Sequence, residues 1–377
     1  MEKVIKNGKE LKTGYTTGSC AVAATKAALI YFFTKEKVDE VTLDTPKGVK
    51  LTIKVLSVVE YNDYIESVII KESGDDPDVT NGIKISAMVY AGHKNLIIDG
   101  GIGVGRVTKN GLKIPVGSAA INPVPRAMIE KEVEQFINNY GYEENFKVII
   151  NAYNGEEIAK KTFNSRLGII GGISIIGTTG IVEPMSEKAL IDTIHSEINI
   201  ALSEGRENIL LTPGNYGRDA AYEKFGIDID KGIKISNYIG DTLDYLLYKK
   251  PKRILIIGHA GKLSKIAGGI MNTHSSYADC RHEIFSSYAA LVGAEKHIIE
   301  EIFESVSTDE IDSILLKYNL HEKVWDMVME RVYANINRRL QASIPCEIII
   351  FTNKEKTWKY SKNALEFTKY FKERLHD

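Results

Sequence analysis

The chain has 377 residues, 44% of them hydrophobic and 26% charged, which suits two ordinary domains and excludes a disordered, collagen-like or coiled-coil chain. Lys and Arg number 48 against 50 Asp and Glu, a net charge of -2, so there is no basic surplus to follow a nucleic-acid backbone. Three scattered cysteines make no disulfide framework or zinc pair, and the N-terminal residues lack an apolar signal core; a cytoplasmic protein is expected.

Hydrophobic periodicity in the N-terminal half predicts helices over 19–34 and 124–138, with strands over 49–59, 67–71, 83–90 and 147–151 between glycine-rich loops. Pro123 and Pro125 suit the opening turn of the second helix. The apolar run 167–182 carries five glycines and is too short to span a membrane, so it reads as strand and loop. From about Asp192 the pattern alternates: helix, strand 208–212, helix 216–225, strand 233–236, helix 239–249, strand 253–257. Four helical stretches follow over 282–340, then a last buried strand at 346–351 and a terminal helix. The expected architecture is an α+β domain over 1–185 and an α/β doubly wound, Rossmann-like domain over 186–377 with a mostly parallel sheet. Ligands of such sheets sit beyond the carboxyl ends of the strands. That edge holds Pro213, Gly214, Asn215, Tyr216 and Gly217, then Gly258, His259, Ala260, Gly261 and Lys262.

Several segments carry candidate chemistry. Gly14 to Cys20 runs into an alanine-rich helix and sets Thr16, Thr17 and Ser19 at a helix N-terminus, where anions bind. The alternative is that Thr17 or Ser19 only caps the helix. A second such loop, Gly177-Thr178-Thr179-Gly180, leads to Glu183, and the pair suggests two anchors for one polyanionic ligand. Asp75, Asp76 and Asp78 crowd a Gly/Pro turn, to hold magnesium or a ligand nitrogen, or simply to make the turn. Gly100 to Gly105 looks like a nucleotide loop, but a strand and turn follow where a dinucleotide fingerprint needs a helix. Arg106 offers a forked donor for carboxylates. His259 is flanked by glycine and alanine at a strand end, and His274 follows in N-T-H-S-S-Y-A-D; either suits proton transfer near neutral pH. His274, Cys280 and His282 lack paired-ligand spacing, so no protein-bound metal is expected.

T-G-Y-T-T-G-S-C-A, G-D-D-P-D-V-T-N-G, G-I-G-V-G-R-V-T-K-N-G-L, A-I-N-P-V-P-R, G-I-S-I-I-G-T-T-G-I-V-E-P-M-S, P-G-N-Y-G and G-K-L-S-K-I-A-G-G-I-M-N-T-H-S-S-Y-A-D occur in order over residues 13–279. Together they resemble the CbiD family; nothing after about residue 295 adds to the likeness. The resemblance implies S-adenosylmethionine-dependent methyl transfer to C1 of cobalt-precorrin-5B, giving cobalt-precorrin-6A, in anaerobic cobalamin biosynthesis, with the cobalt arriving in the substrate. On that reading Thr16, Thr17, Ser19, Asp75, Asp76, Arg106, Thr178, Thr179 and Glu183 hold the carboxylate-fringed tetrapyrrole, and Tyr15 and Tyr216 stack on it. Gly214, Asn215, Tyr216, Gly258, Ala260 and Gly261 hold the methyl donor, His259 or His274 relays a proton, and neighbouring pathway enzymes are candidate partners. Two other functions remain open: a nucleotide-dependent kinase using 100–106 as its phosphate loop, and a non-catalytic carrier of a corrin intermediate.

Overall fold

A computed structural model describes residues 3–6, 8–214 and 217–372. The chain divides into two compact units, Met1–Glu187 and Lys188–Asp377.

The first unit is built around α1 (Thr17–Thr34), an alanine-rich helix with twelve buried residues. Before it come a hairpin of β1 (Lys3–Lys6) and β2 (Lys9–Lys12) and the short β3 (Gly14–Tyr15). After it come β4 (Glu40–Asp44) and β5 (Lys50–Lys54), which pair with each other, then β6 (Ser57–Glu60), β7 (Ile65–Ile70), β8 (Lys84–His93), β9 (Ile97–Gly100) and β10 (Arg106–Val107). The unit closes with α2 (Pro123–Tyr140), β11 (Asn145–Ala152), α3 (Gly155–Ala159), β12 (Ile169–Ile170) and β13 (Ile181–Val182). The main sheet has the order β6-β7-β8-β11-β9, antiparallel except where β9 runs parallel to β11. Small side chains let neighbours approach α1 closely: a Cβ on Gly18 would stand 2.6 Å from Pro125 Cγ of α2. The single strand expected over 49–59 is two strands, because β5 pairs with β4 whereas β6 enters the main sheet beside β7.

In the second unit α4 (Glu187–Ser203) leads to β14 (Asn208–Thr212), α5 (Arg218–Phe225), β15 (Ile233–Lys234), α6 (Ile239–Lys249), β16 (Arg253–His259) and the one-turn α7 (Ala260–Leu263). Four helices, α8 (Arg281–Leu291), α9 (Lys296–Glu304), α10 (Thr308–Lys317) and α11 (His321–Arg339), precede β17 (Cys346–Phe351), β18 (Trp358–Tyr360) and α12 (Ala364–Phe367). Strands β15, β14, β16 and β17 are parallel in that spatial order, and β18 adds an antiparallel edge. The strand expected to be last therefore has a successor, which takes the exposed side of β17. Alternate residues of the central strands face opposite cores, as a strand buried on both sides requires. Ile254, Ile256, Ile348 and Ile350 join the cluster with α4, α6 and α8 to α11, whereas Leu255, Ile257, Ile349 and Phe351 join Ala221 and Phe225 of α5 and Ala364 of α12. No helix among the described residues is long and apolar enough to cross a membrane.

Candidate functional site

In the first unit the two hydroxyl-rich loops come together. β3 pairs antiparallel with β13, Tyr15 opposite Ile181, so residues 14–19 lie against 176–182. Thr16 is the N-cap of α1, its Oγ1 accepting from the Ser19 N–H at 3.1 Å. The Gly18 N–H donates to Ile176 O at 2.8 Å, and the Ser19 hydroxyl donates to Gly180 O at 2.6 Å. Thr17 Oγ1 donates toward Ser174 O at 3.2 Å and accepts from the Ile176 N–H at 2.9 Å. The hydroxyls and first-turn N–H groups expected to face an anion thus join two distant parts of the chain, and the N-cap is Thr16 rather than Thr17 or Ser19. All three are buried.

Other expected anchors also have partners within the fold. Tyr15 is buried, its hydroxyl donating to Ile70 O at 2.9 Å, so it offers no face for stacking. Asp75 accepts from the Lys12 N–H at 2.6 Å and Asp76 from the Met185 N–H at 2.8 Å. Asp78 holds the buried Lys71 ammonium at 2.6 Å, so this acidic turn is an internal clasp. The Arg106 fork already grips Asp99, at 2.7 and 2.9 Å, and Gly100 O at 2.9 Å. Burial opposes ionisation of Asp99, but the bonds from Arg106 outweigh it and hold the carboxyl below its usual range. Glu183 pairs with Lys47 at 2.5 Å, and Thr179 Oγ1 bonds within its own turn to Ile181 O at 2.9 Å. Thr178 is exposed. The 100–106 segment continues into the strand β10 and its turn with no helix after it, as the sequence indicates.

Thr17→Val is expected to lower stability by about 1–2 kcal/mol, because it leaves the part-buried Ile176 N–H and Ser174 carbonyl without the Thr17 hydroxyl. Thermal melting checks this. An unchanged melting temperature together with weakened ligand binding would restore the anchor role.

The second unit gathers its candidates at one edge. Strand order reverses between β14 and β16, since β15 lies on one side of β14 and β16 on the other. The crevice beyond those two strand ends is where an open parallel sheet takes its ligand. Gly214 lies in the loop after β14; Asn215 and Tyr216 fall outside the described residues. Gly258 brings the β16 end against this loop, for a Cβ there would stand 2.5 Å from Pro213 Cγ. Lys262 Nζ donates to Pro213 O at 2.7 Å and toward Ser236 O at 3.3 Å, tying together the segments after β14, β15 and β16. Thr212 Oγ1, at the end of β14, is fully buried with no hydrogen-bond partner among the described residues.

His259 caps α7: Nδ1 accepts from the Gly261 N–H at 3.0 Å. Its Nε2 lies 3.2 Å from Asp309 Oδ2, and its ring meets Phe351 edge-on at 5.6 Å. Burial pushes the His259 pKa down, against the opposing pull of Asp309, so the neutral ring prevails near neutral pH. Through Nδ1 the ring shapes the turn that follows β16. His274 is exposed, its Nδ1 bonded to Ser276 Oγ at 2.7 Å. Lys265, buried, donates to Ala278 O at 3.0 Å and so pins the loop that carries His274. Among the described residues no group of three or more His, Cys, Asp or Glu side chains is placed to hold a metal ion. Sequence reasoning set Lys262 at the binding edge without a role and passed over Lys265 and Asp309. The two lysines stood inside a quoted motif, where buried alkyl stems reaching backbone carbonyls leave no spacing signal, and Asp309 stood outside every motif.

These features define a protein with an α/β unit built on a mostly parallel sheet and an α+β unit whose glycine- and threonine-rich loops clamp one another. Family models described as CbiD and as CbiD, C-terminal domain, match residues 4–184 and 272–362. The protein named cobalt-precorrin-5B C(1)-methyltransferase in Ruminiclostridium cellulolyticum is 54% identical over 93% of this chain and 92% of its own. Proteins of the same name in Alkaliphilus metalliredigens and Methanocaldococcus jannaschii are 44% and 41% identical, over 93% and 88% of this chain and 92% and 91% of theirs. A crystal structure of the cobalamin biosynthesis protein CbiD from Archaeoglobus fulgidus matches at 28% identity and a TM-score of 0.40, covering 78% of this chain and 88% of that one. By its sequence matches, this chain belongs to the CbiD family.

Proposed function

We propose that this protein transfers a methyl group to C1 of cobalt-precorrin-5B in cobalamin biosynthesis, with S-adenosylmethionine as donor. The observation that carries the reading is 54% identity, sustained over nearly the whole of both chains, to a relative bearing that name. The doubly wound second unit, Rossmann-like in its crossovers, is assigned the donor, held by the loops after β14 and β16. In support, Gly258 lets the ends of β14 and β16 approach each other at this edge, and Lys262 fixes the loop carbonyls there. The tetrapyrrole is assigned to the α+β unit, with Thr178 as its exposed threonine.

Methyl transfer from a sulfonium forms a carbon–carbon bond as the carbon–sulfur bond breaks, and the departing thioether leaves with the electron pair. The protein's task is to align the two partners and exclude water. The His259, Lys262 and Phe351 neighbourhood answers to alignment, since each side chain fixes a loop at the crevice. Anaerobic incubation with cobalt-precorrin-5B and isotopically labelled donor tests the reading; label is expected on the pigment.

A further inference from the structure

We propose that Asp309 is a positioning residue for the methyl donor: it holds the His259 ring in one orientation and one tautomer, and thereby shapes the loop after β16. The inference rests on the donor reading above.

Asp309 is the second residue of α10. Its carboxylate faces two strand-end loops at once. Oδ2 lies 3.2 Å from Nε2 of His259, the last residue of β16, while Oδ1 accepts from the Asn353 and Lys354 N–H groups, after β17, at 2.7 and 3.2 Å. The helix start that carries it is itself fixed. Ser307 Oγ accepts from the Glu310 N–H at 3.2 Å and Glu310 Oε2 from the Val306 N–H at 2.8 Å, a reciprocal cap. A carboxylate in a first helical turn also sits at the favourable end of the helix dipole.

The consequence for His259 follows from proton counting. A neutral imidazole carries one N–H. Nδ1 accepts from the Gly261 N–H, so the proton resides on Nε2, 3.2 Å from Asp309 Oδ2. Without a carboxylate there, the Nδ1–H form competes, and that form cannot cap α7. The Gly258–Gly261 backbone would then lose the bond that shapes its turn beside Pro213. Asp309 and His259 are each about four-fifths buried, 22% and 19% exposed, so water is a poor substitute for either partner.

Asp309→Asn isolates this role. The amide oxygen can still accept from Asn353 and Lys354, but the amide nitrogen then donates toward Nε2, which must become an acceptor. The ligand-free protein, with 15N-labelled histidine, is examined by NMR for the His259 tautomer, and S-adenosylmethionine affinity is measured by calorimetry. The expected results are an Nε2–H ring in the unaltered protein, an Nδ1–H ring in the Asp309→Asn variant, and about a tenfold loss of donor affinity, the worth of one well-placed hydrogen bond. Asp309→Glu, which keeps the carboxylate, is expected to retain the Nε2–H form and serves as the second variant should the amide fail to fold. In a His259→Gln background Asp309→Asn is expected to change affinity by less than about twofold, as coupled residues require. An unchanged tautomer, an unchanged affinity after the tautomer has switched, or an equal loss in the His259→Gln background would each overturn the proposal. Failure of the unaltered protein to bind the donor would instead overturn the donor reading, and the ligand-free tautomer tells the two failures apart.

Discussion

Asp312→Ala is expected to destabilise the second unit by about 3–5 kcal/mol, the usual cost of removing one partner from a buried charged network. Asp312 is fully buried on α10, one turn beyond Asp309. It accepts from His321 Nε2 at 2.9 Å, Trp325 Nε1 at 2.7 Å and Thr352 Oγ1 at 2.9 Å, so its loss orphans three donors and unhooks α11 and the end of β17 from α10. The penalty depends on pH. Burial opposes the charge on His321, but the bond to Asp312 and the neighbouring Glu322 outweigh it and raise its pKa above the ordinary value. A raised histidine pKa gives stability that is complete below the unfolded value of about 6.5 and is lost as pH rises through the folded value. Burial likewise opposes the charge on Asp312, yet its hydrogen bonds hold its pKa below the ordinary value, so its own contribution persists above about pH 4 and is lost only in acid. His321→Gln should therefore cost more at pH 6 than at pH 9, as denaturant titrations at the two pH values will show. A cost independent of pH would mean that His321 is neutral in the folded protein.

Gly258→Val is expected to weaken S-adenosylmethionine binding by on the order of a hundredfold, because atoms held within a fraction of an ångström must move. A Cβ on Gly258 would stand 2.5 Å from Pro213 Cγ and 3.0 Å from Leu263 Cδ1, and valine adds two further methyl groups. Pro213 has to retreat, taking with it the carbonyl that Lys262 holds at 2.7 Å and the loop after β14. Overpacking of this kind costs about 1–3 kcal/mol of stability, which a domain of this size can absorb while remaining folded. Calorimetry on protein whose circular dichroism is unchanged gives the answer. Unaltered affinity would place the donor away from this edge.

The second unit was legible because its strands are unbroken apolar runs and its helices are long and amphipathic. Ile239–Lys249 and Cys346–Phe351 stand in the structure as the periodicity marks them. β18 escaped because three residues, Trp358 to Tyr360, are too few to show a period and acquire strand character only by pairing with β17. The two-residue β3 escaped for the same reason. At the candidate site, the sequence marked which loops hold glycines and hydroxyls but not how those groups are satisfied. The partner of Thr17 lies more than 150 residues away at Ser174 and Ile176, and the partner of Arg106 is Asp99 in the preceding strand. Only the fold shows that these polar groups close on each other. Asp309 was hidden further, since an aspartate in a first helical turn is ordinary in sequence and gains its significance from the strand ends that α10 meets.

The most direct measurement supplies the protein, under strict anaerobiosis, with cobalt-precorrin-5B and 13C-methyl S-adenosylmethionine, and analyses the pigment by mass spectrometry and NMR. The account predicts a pigment carrying one labelled methyl group at C1 and one S-adenosylhomocysteine released per turnover. Pigment that is bound but never labelled would contradict it and mark the protein as a carrier, and label at another ring carbon would contradict the assignment of the reaction.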